Sequence, residues 1–449
     1  MHARPKLPAT PTARPGAQAR PRRRRRATVL LGLALLAPGS AGAATLDTGD
    51  TAWVLVATAL VLFMTIPGLA LFYGGLVRSK NVLSILMQCL ALTAAMSLAW
   101  LAGGYSLAFA DGSAWIGDFS ARFFLRGITP DTLQGPIPEL LFFAFQMTFA
   151  VITPALIIGA FTDRMRFSAM LLFSTLWLFA VYTPICHMTW GGGAFPGLEP
   201  GSVFDFAGGI VVHITAGVAA LVACIVIGPR EGYPRTPMPP HNLTMTFTGT
   251  AMLWVGWYGF NAGSALGANG GAAMALVVTH LSASAATLTW MAIEWVRFGK
   301  PSALGAATGA IAGLAAVTPA SGYIGPVGGV AIGVVACSVC YVAATWLKHR
   351  FGYDDSLDVF GVHGVGGFVG TLLAAVFADS VFGGSEGDLA IGEQLGIQLA
   401  ASAMTVVYTL VATFVLLKLI DATVGLRVSA AEESMGLDLS QHGESGYNL

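Results

Sequence analysis

The sequence predicts an all-α polytopic membrane protein with eleven transmembrane helices built as a five-plus-five inverted repeat. Three observations predict it. Of the 449 residues, 55% are hydrophobic and only 10% charged, whereas a soluble domain carries about a quarter charged residues. A protein core alone cannot absorb that much apolar surface, so the solvent for most of the chain is lipid bilayer. Hydropathy also separates eleven apolar stretches. Finally, short motifs in the first five stretches recur in the next five. A repeat unit with an odd number of spans turns its second copy upside down.

The elements follow in chain order. All 23 acidic residues come after Ala44, while nine of the 23 basic residues precede Ala27, leaving 14 basic against 23 acidic in the remainder, a net of −9. No basic face is left over for nucleic acid. The run Arg22 to Arg26, the apolar stretch Thr28 to Ala37 and Ala41-Gly42-Ala43 have the order of a cleaved signal peptide, residues 1–43, and the apolar stretch is too short to span a bilayer. A transmembrane domain is expected over 44–424. Its spans lie near 52–76, 81–109, 138–162, 168–188, 206–228, 241–262, 273–297, 302–319, 325–346, 356–380 and 393–424. The eighth is short and rich in Gly and Ala, as a helix packed inside the bundle is. A polar tail, 425–449, follows.

Basic residues alternate between the loops. Arg78 and Lys80, Arg164 and Arg166, Arg230 and Arg235, Arg297 and Lys300, Lys348 and Arg350, and Arg427 follow the odd-numbered spans. Of the even-numbered loops, only the one after the second span holds any, Arg122 and Arg126. The positive-inside rule therefore places the mature N-terminus outside and the C-terminus inside. In the repeat, Leu71-Phe72-Tyr73-Gly74-Gly75 resembles Gly259-Phe260-Asn261-Ala262-Gly263. Asp205 and His213 find counterparts in Asp358 and His363.

His213 and His363 carry the strongest functional signal. Ionisable groups inside apolar spans are costly and usually face a pathway or the bundle interior. A matched pair across a pseudo-two-fold axis favours a pathway over simple packing. Two histidines without a nearby cysteine or carboxylate are too few to hold a metal. His187 and His280 lack repeat partners and read as structural, whereas His241 and His442 read as interfacial. Asp205 suits a helix N-cap and a fixed charge beneath a cation site. Phe145, Phe149, Trp190, Phe260 and Ser264 gather near one set of span ends. Aromatic faces plus a hydroxyl suit a small ammonium-type cation through cation–π attraction and a hydrogen-bond acceptor.

Cys89, Cys186, Cys224, Cys337 and Cys340 all sit in apolar runs and read as small core hydrophobes. Cys337-x-x-Cys340 lacks the surroundings of a redox motif. The sequence contains no Walker motif, His-Glu-x-x-His or Gly-x-Ser-x-Gly elbow. No serine or acid joins the two histidines at the spacing of an intramembrane hydrolase, so neither an enzyme nor a cofactor is expected.

Together these residues resemble the ammonium transporter family: bacterial Amt proteins, yeast methylammonium permeases and animal Rhesus proteins. The likeness begins near Ala52 and runs to the C-terminus. It is carried by Phe63-Met64-Thr65-Ile66-Pro67-Gly68, Ala144-Phe145-Gln146, Asp205-Phe206-Ala207-Gly208-Gly209, Gly259 to Ser264 and Asp358 to Gly364. Trp190 with Phe145 and Phe149 points to the bacterial Amt branch. The resemblance implies a homotrimer in a bacterial inner membrane, with one pore per subunit conducting ammonium or ammonia. Phe149, Trp190 and Ser264 would form the outer recruitment site, and Phe149 and Phe260 the gate. His213, His363, Leu156 and Val359 would line the pore, with Phe72 and Tyr73 near the inner exit and Asp205 holding the outer site in shape. The tail resembles a regulatory C-terminus that docks a PII-type signal protein. The rival is an ammonium sensor with little transport.

Overall fold

The computed structural model describes residues 45–447, so the expected signal peptide lies outside the described residues. Eleven long helical segments follow: α1 (Thr48–Leu76), α2 (Ser79–Phe109), α3 (Glu139–Ala160), α4 (Phe167–Trp190), α5 (Gly209–Ile227), α6 (Leu243–Gly263), α7 (Gly270–Phe298), α8 (Ala303–Val317), α9 (Pro326–Phe351), α10 (Phe360–Phe377) and α11 (Ile391–Thr423). Nine are long and apolar enough to cross a membrane. The other two depart for physical reasons. Threonines and glycines dilute the hydropathy of α6. The 15-residue α8 is mostly buried Gly and Ala and spans only about 22 Å. The mostly buried α8 faces protein, where lipid does not set its composition.

Local chemistry starts these helices. Asp47, Asn242, Asn269 and Ser302 cap α1, α6, α7 and α8 by accepting backbone N–H groups of the first turn. Pro326 opens α9 at the position where its missing N–H costs nothing.

Hydrogen bonds between loops define the two ends of the bundle. At one end, Arg78 reaches Asp163, Arg164 reaches the Gly228 carbonyl, Arg230 reaches Asp354, and Arg166 donates to the Arg427 carbonyl. These groups follow α1, α3, α5, α9 and α11. At the other end, the backbone N–H of Ala194 bonds to Ala114, that of Phe206 to Pro319, and that of Ser385 to Tyr323. Those loops follow α2, α4, α8 and α10. Successive spans therefore alternate in direction, and the second set of five is inverted. Repeat-related helices meet their own counterparts, α1 against α6 and α5 against α10.

The helices α5 and α10 cross in close contact. A Cβ on Gly217 would stand 2.2 Å from the Gly364 nitrogen, and one on Gly367 would stand 2.7 Å from the His213 Cβ. Each of these glycines lies four residues after a pore histidine, so only glycine lets the histidine helices cross this tightly.

Charged residues build the end that carries the tail. Arg164, wholly buried, donates to four backbone carbonyls and to Ser356 Oγ. The tail does not trail into solvent. A short helix, α12 (Ala430–Met435), starts with a Ser429/Glu432 capping box, and Glu433 within it and Asp438 just beyond it are buried. Asp438 accepts the Leu83 and Ser84 N–H groups, Asn81 accepts that of Leu437, and Lys80 donates to the Glu433 and Ser434 carbonyls. Asp438 is thus spent on the start of α2, and Glu433 on Arg427 and the Glu231 N–H. All five cysteines are buried and free.

Candidate functional site

A narrow apolar lumen lies between α1, α3, α5, α6, α8 and α10, and aromatic rings close one end of it. Phe149 packs its centroid 4.5 Å from that of Phe260, 5.0 Å from Phe145 and 6.0 Å from Trp190. Phe149 and Phe260 are buried and close the lumen at this point. Ser264, one turn beyond Phe260 and half-buried, donates its hydroxyl to the Phe260 carbonyl, leaving its oxygen lone pairs as acceptors.

Asp205 ties this aromatic end to α5. Its carboxylate accepts the backbone N–H groups of Gly208, Gly209, Ile210 and Val211. Its backbone carbonyl accepts the Trp190 indole N–H at 2.7 Å. One residue therefore both caps the histidine helix and orients the indole. Gly208 makes the turn possible with φ of 118°, a conformation that costs glycine nothing.

His213 and His363 lie below the aromatic closure, on α5 and α10. Their Nδ1 atoms are 3.3 Å apart and their rings nearly parallel, with centroids at 5.2 Å. His213 also stacks over Trp257 at 5.5 Å, and its Nε2 is buried without a partner. Both histidines sit in π-helical turns at the starts of their helices, Gly209–Ile214 and Phe360–Gly364. Such turns are frequent at functional sites. Apart from the two imidazoles, the walls of the lumen are apolar: Met64, Phe72, Ile152, Leu156, Leu253 and Ile311 are among them. Met64, Ile152, Leu253 and Ile311 were not singled out by sequence, because an apolar residue in an apolar span carries no distinguishing mark.

Beyond His363, a cavity of about 160 Å³ opens toward the tail end, lined by Phe72, Tyr73, Arg230, Ser356 and Asp358 among others. Tyr73 donates its hydroxyl to the Leu156 carbonyl. Val359 is buried but lines neither the lumen nor this cavity; it packs where a Cβ on Gly159 would stand.

The expected pairing of Asp205 with Asp358 is corrected by the spacing. Asp205 precedes His213 by eight residues, and Asp355 precedes His363 by the same number. Asp355 is buried and accepts the Phe360 N–H at the start of α10. Burial raises its carboxyl to about 6, with Lys348 pulling in the other direction. Asp358 corresponds instead to Gly208. Both have positive φ, 58° and 118°, and the Asp358 carboxylate reaches out to Lys348 at 2.8 Å. Comparing distances to the histidine, rather than similarity of neighbouring residues, identifies the correct pair.

The remaining histidines are placed outside the lumen. His187 bridges the Ala108 and Ser113 carbonyls, and His280 bonds to Tyr258 on an exposed face. His241 joins the Val77 carbonyl to the Tyr447 hydroxyl, and His442 packs on Phe167. Among the described residues, no group of three His, Cys, Asp or Glu side chains has the arrangement to hold a metal ion.

Comparison with known proteins identifies the family. Residues 52–447 match the family described as Ammonium Transporter Family. The chain is 47% identical over 412 residues to an ammonium transporter of Aquifex aeolicus, covering 91% of this chain and 96% of that one. It is 47% identical over 403 residues to an ammonium transporter of Bacillus subtilis, covering 89% and 98%. Among solved structures it is similar to Mep2 of Candida albicans, with a TM-score of 0.80, 35% identity and coverage of 89% and 90%. It is also similar to a sensor Amt protein, with a TM-score of 0.80, 28% identity and coverage of 88% and 98%. The chain belongs to the ammonium transporter family of multi-pass membrane proteins, which are transporters and not enzymes.

Proposed function

We propose that this ammonium transporter recruits ammonium at the aromatic end, strips its proton there, and passes ammonia through the twin-histidine lumen to the tail end. The observation that carries the reading is the His213–His363 pair at 3.3 Å in an otherwise apolar lumen beneath the Phe149–Phe260 closure. Phe149, Trp190 and Ser264 suit a small cation through ring faces and a hydroxyl acceptor. A metal cation entering the lumen loses hydration that nothing replaces. Ammonium escapes that cost by releasing its proton, since desolvation favours the neutral amine. Imidazole accepts a hydrogen bond at one nitrogen while donating at the other, so the pair can hold ammonia and relay the proton.

The basic loops at the tail end support a cytoplasmic C-terminus in a bacterial inner membrane, with the aromatic mouth outside. The assembly is a homotrimer with one lumen per subunit. The ordered tail and its neighbouring loops form the docking surface for a PII-type signal protein. The likeness to a sensor Amt protein supports a second reading, in which ammonium occupancy is signalled with little flux. Currents from purified protein in liposomes under ammonium and then potassium gradients separate the two. Ammonium current without potassium current is expected; a bound but silent protein would favour the sensor.

A further inference from the structure

Trp190 also lines a cavity of about 580 Å³ that shares none of the residues lining the lumen. Its lining includes Tyr105, Asp111, Arg122, Glu139, Phe142 and Trp190. Glu139 is unusual among them. It is 5% exposed, yet it carries a carboxylate at the first turn of α3. Its Oε1 accepts the Tyr105 hydroxyl at 3.0 Å and faces Arg122 Nε at 3.4 Å. Its Oε2 takes no hydrogen bond from the described residues and is not among the sealed, partnerless atoms. The second oxygen therefore looks into the cavity.

We propose that this cavity is an antechamber for monovalent ammonium-type cations, with Glu139 as its acceptor and Arg122 as a displaceable counterion. The proposal rests on the reading above that the aromatic end is the entry mouth. The charges decide the ligand class. Asp111 and Glu139 against Arg122 leave one net negative charge in a recess with low-dielectric walls, which concentrates cations locally. The aromatic side chains at the cavity wall offer π faces to an ammonium or methylammonium ion. Two carboxylates, one already engaged by a guanidinium, are too few to dehydrate a divalent ion.

Arg122 is 38% exposed at its side chain, so its guanidinium can move into solvent while the arriving cation takes over the pairing of the buried Glu139 carboxylate. A cation arriving at Glu139 Oε2 weakens the pull on Arg122 Nε. The shared Trp190 then provides the next contact, toward Phe149. The blander reading makes Glu139 only a latch that holds the 110–138 loop to α3 through Tyr105 and Arg122. The two readings differ in the sign of the Arg122 effect.

The test is the concentration dependence of methylammonium uptake by purified protein in liposomes, with the parent, Glu139→Gln and Arg122→Gln. Loss of the carboxylate charge should raise the half-saturating concentration by about three- to tenfold, with a smaller change in maximal rate. Loss of the guanidinium should lower it by about twofold, because Glu139 is released. Both differences should shrink at about 0.5 M salt, where the screening length falls to about 4 Å. An Arg122→Gln variant that raises the half-saturating concentration, or leaves it unchanged, overturns the proposal even if Glu139→Gln fails to fold. A parent that saturably transports nothing overturns instead the transport reading on which the proposal stands.

Discussion

The two histidine helices share a spacing and differ in what surrounds it. In α5 and α10 alike, an aspartate lies eight residues before the histidine and a glycine four residues after it. Asp205 satisfies four backbone N–H groups and holds the Trp190 indole through its carbonyl. Asp355 satisfies the Phe360 N–H, and its Oδ1 is buried without a partner. No indole hangs from Asp355; the nearby Asp358 instead engages Lys348. The scaffold repeats because both copies solve the same problem of starting a helix and crossing closely. Under the proposed function the chemistry does not repeat because one end holds a cation and the other lets its product leave.

The largest expected effect tests this contrast directly. Asp205→Ala should abolish or nearly abolish uptake while leaving protein in the membrane, because it orphans four N–H groups beside the indole. Asp355→Ala should retain a measurable fraction of parental uptake. Equal loss in two well-expressed variants would show that the ends are functionally equivalent. Asp205→Asn refines the point, since it keeps the cap and removes the charge.

Next come the histidines. His213→Asp and His363→Asp place a carboxylate in the lumen, which draws in water and cations, so both should pass potassium current that the parent lacks. Replacement with Ala should instead reduce ammonium-driven current. If reversal potentials show both Asp variants as selective as the parent, the imidazoles are packing residues and the account of the lumen is wrong.

The crossing glycines should also separate. A Cβ on Gly217 meets backbone at 2.2 Å, whereas one on Gly367 meets a Cβ at 2.7 Å and a carbonyl oxygen at 2.9 Å. Gly217→Ala should therefore destabilise more than Gly367→Ala, each by roughly 1–3 kcal/mol. Thermal stability in detergent measures the order; the reverse order would mean that α10, not α5, is the fixed member of the pair.

The tail extends the asymmetry, because its bonds run to loops of the first repeat, at Lys80, Leu83, Ser84 and Arg164. Deleting residues 436–449 should abolish co-sedimentation of a PII-type protein with membranes. Undiminished binding would move that interface to the inner loops. The smallest effect belongs to Trp190→Leu. Cation–π attraction at a wet site contributes about 1 kcal/mol, a several-fold change in half-saturation. An unchanged concentration dependence would remove the indole from recruitment.

Much of this was legible along the chain. Eleven apolar stretches, alternating basic loops and two intramembrane histidines follow from transfer energies that act residue by residue, and α1–α11 lie close to the expected bounds. Other features were not legible. Asp358 looked like the partner of Asp205 because it opens a similar string of residues, but Asp355 holds the matching eight-residue distance to its histidine. The tail read as a polar extension, yet Glu433 and Asp438 are buried in contacts with loops more than two hundred residues away. Glu139 carried no motif and became conspicuous only when Tyr105, Arg122 and Trp190 were found around the same cavity.

By itself, then, the sequence determined that the chain crosses a membrane repeatedly, that it repeats with inversion, and that His213 and His363 belong together. Hydropathy and ionisable-group costs are properties of single residues in lipid, so order along the chain is enough to read them. Tertiary structure alone decided which apolar side chains line the lumen and where the tail is spent. Those outcomes depend on how closely two helices approach, and that distance is set by glycines meeting backbone 150 residues away, as at Gly217 and Gly364.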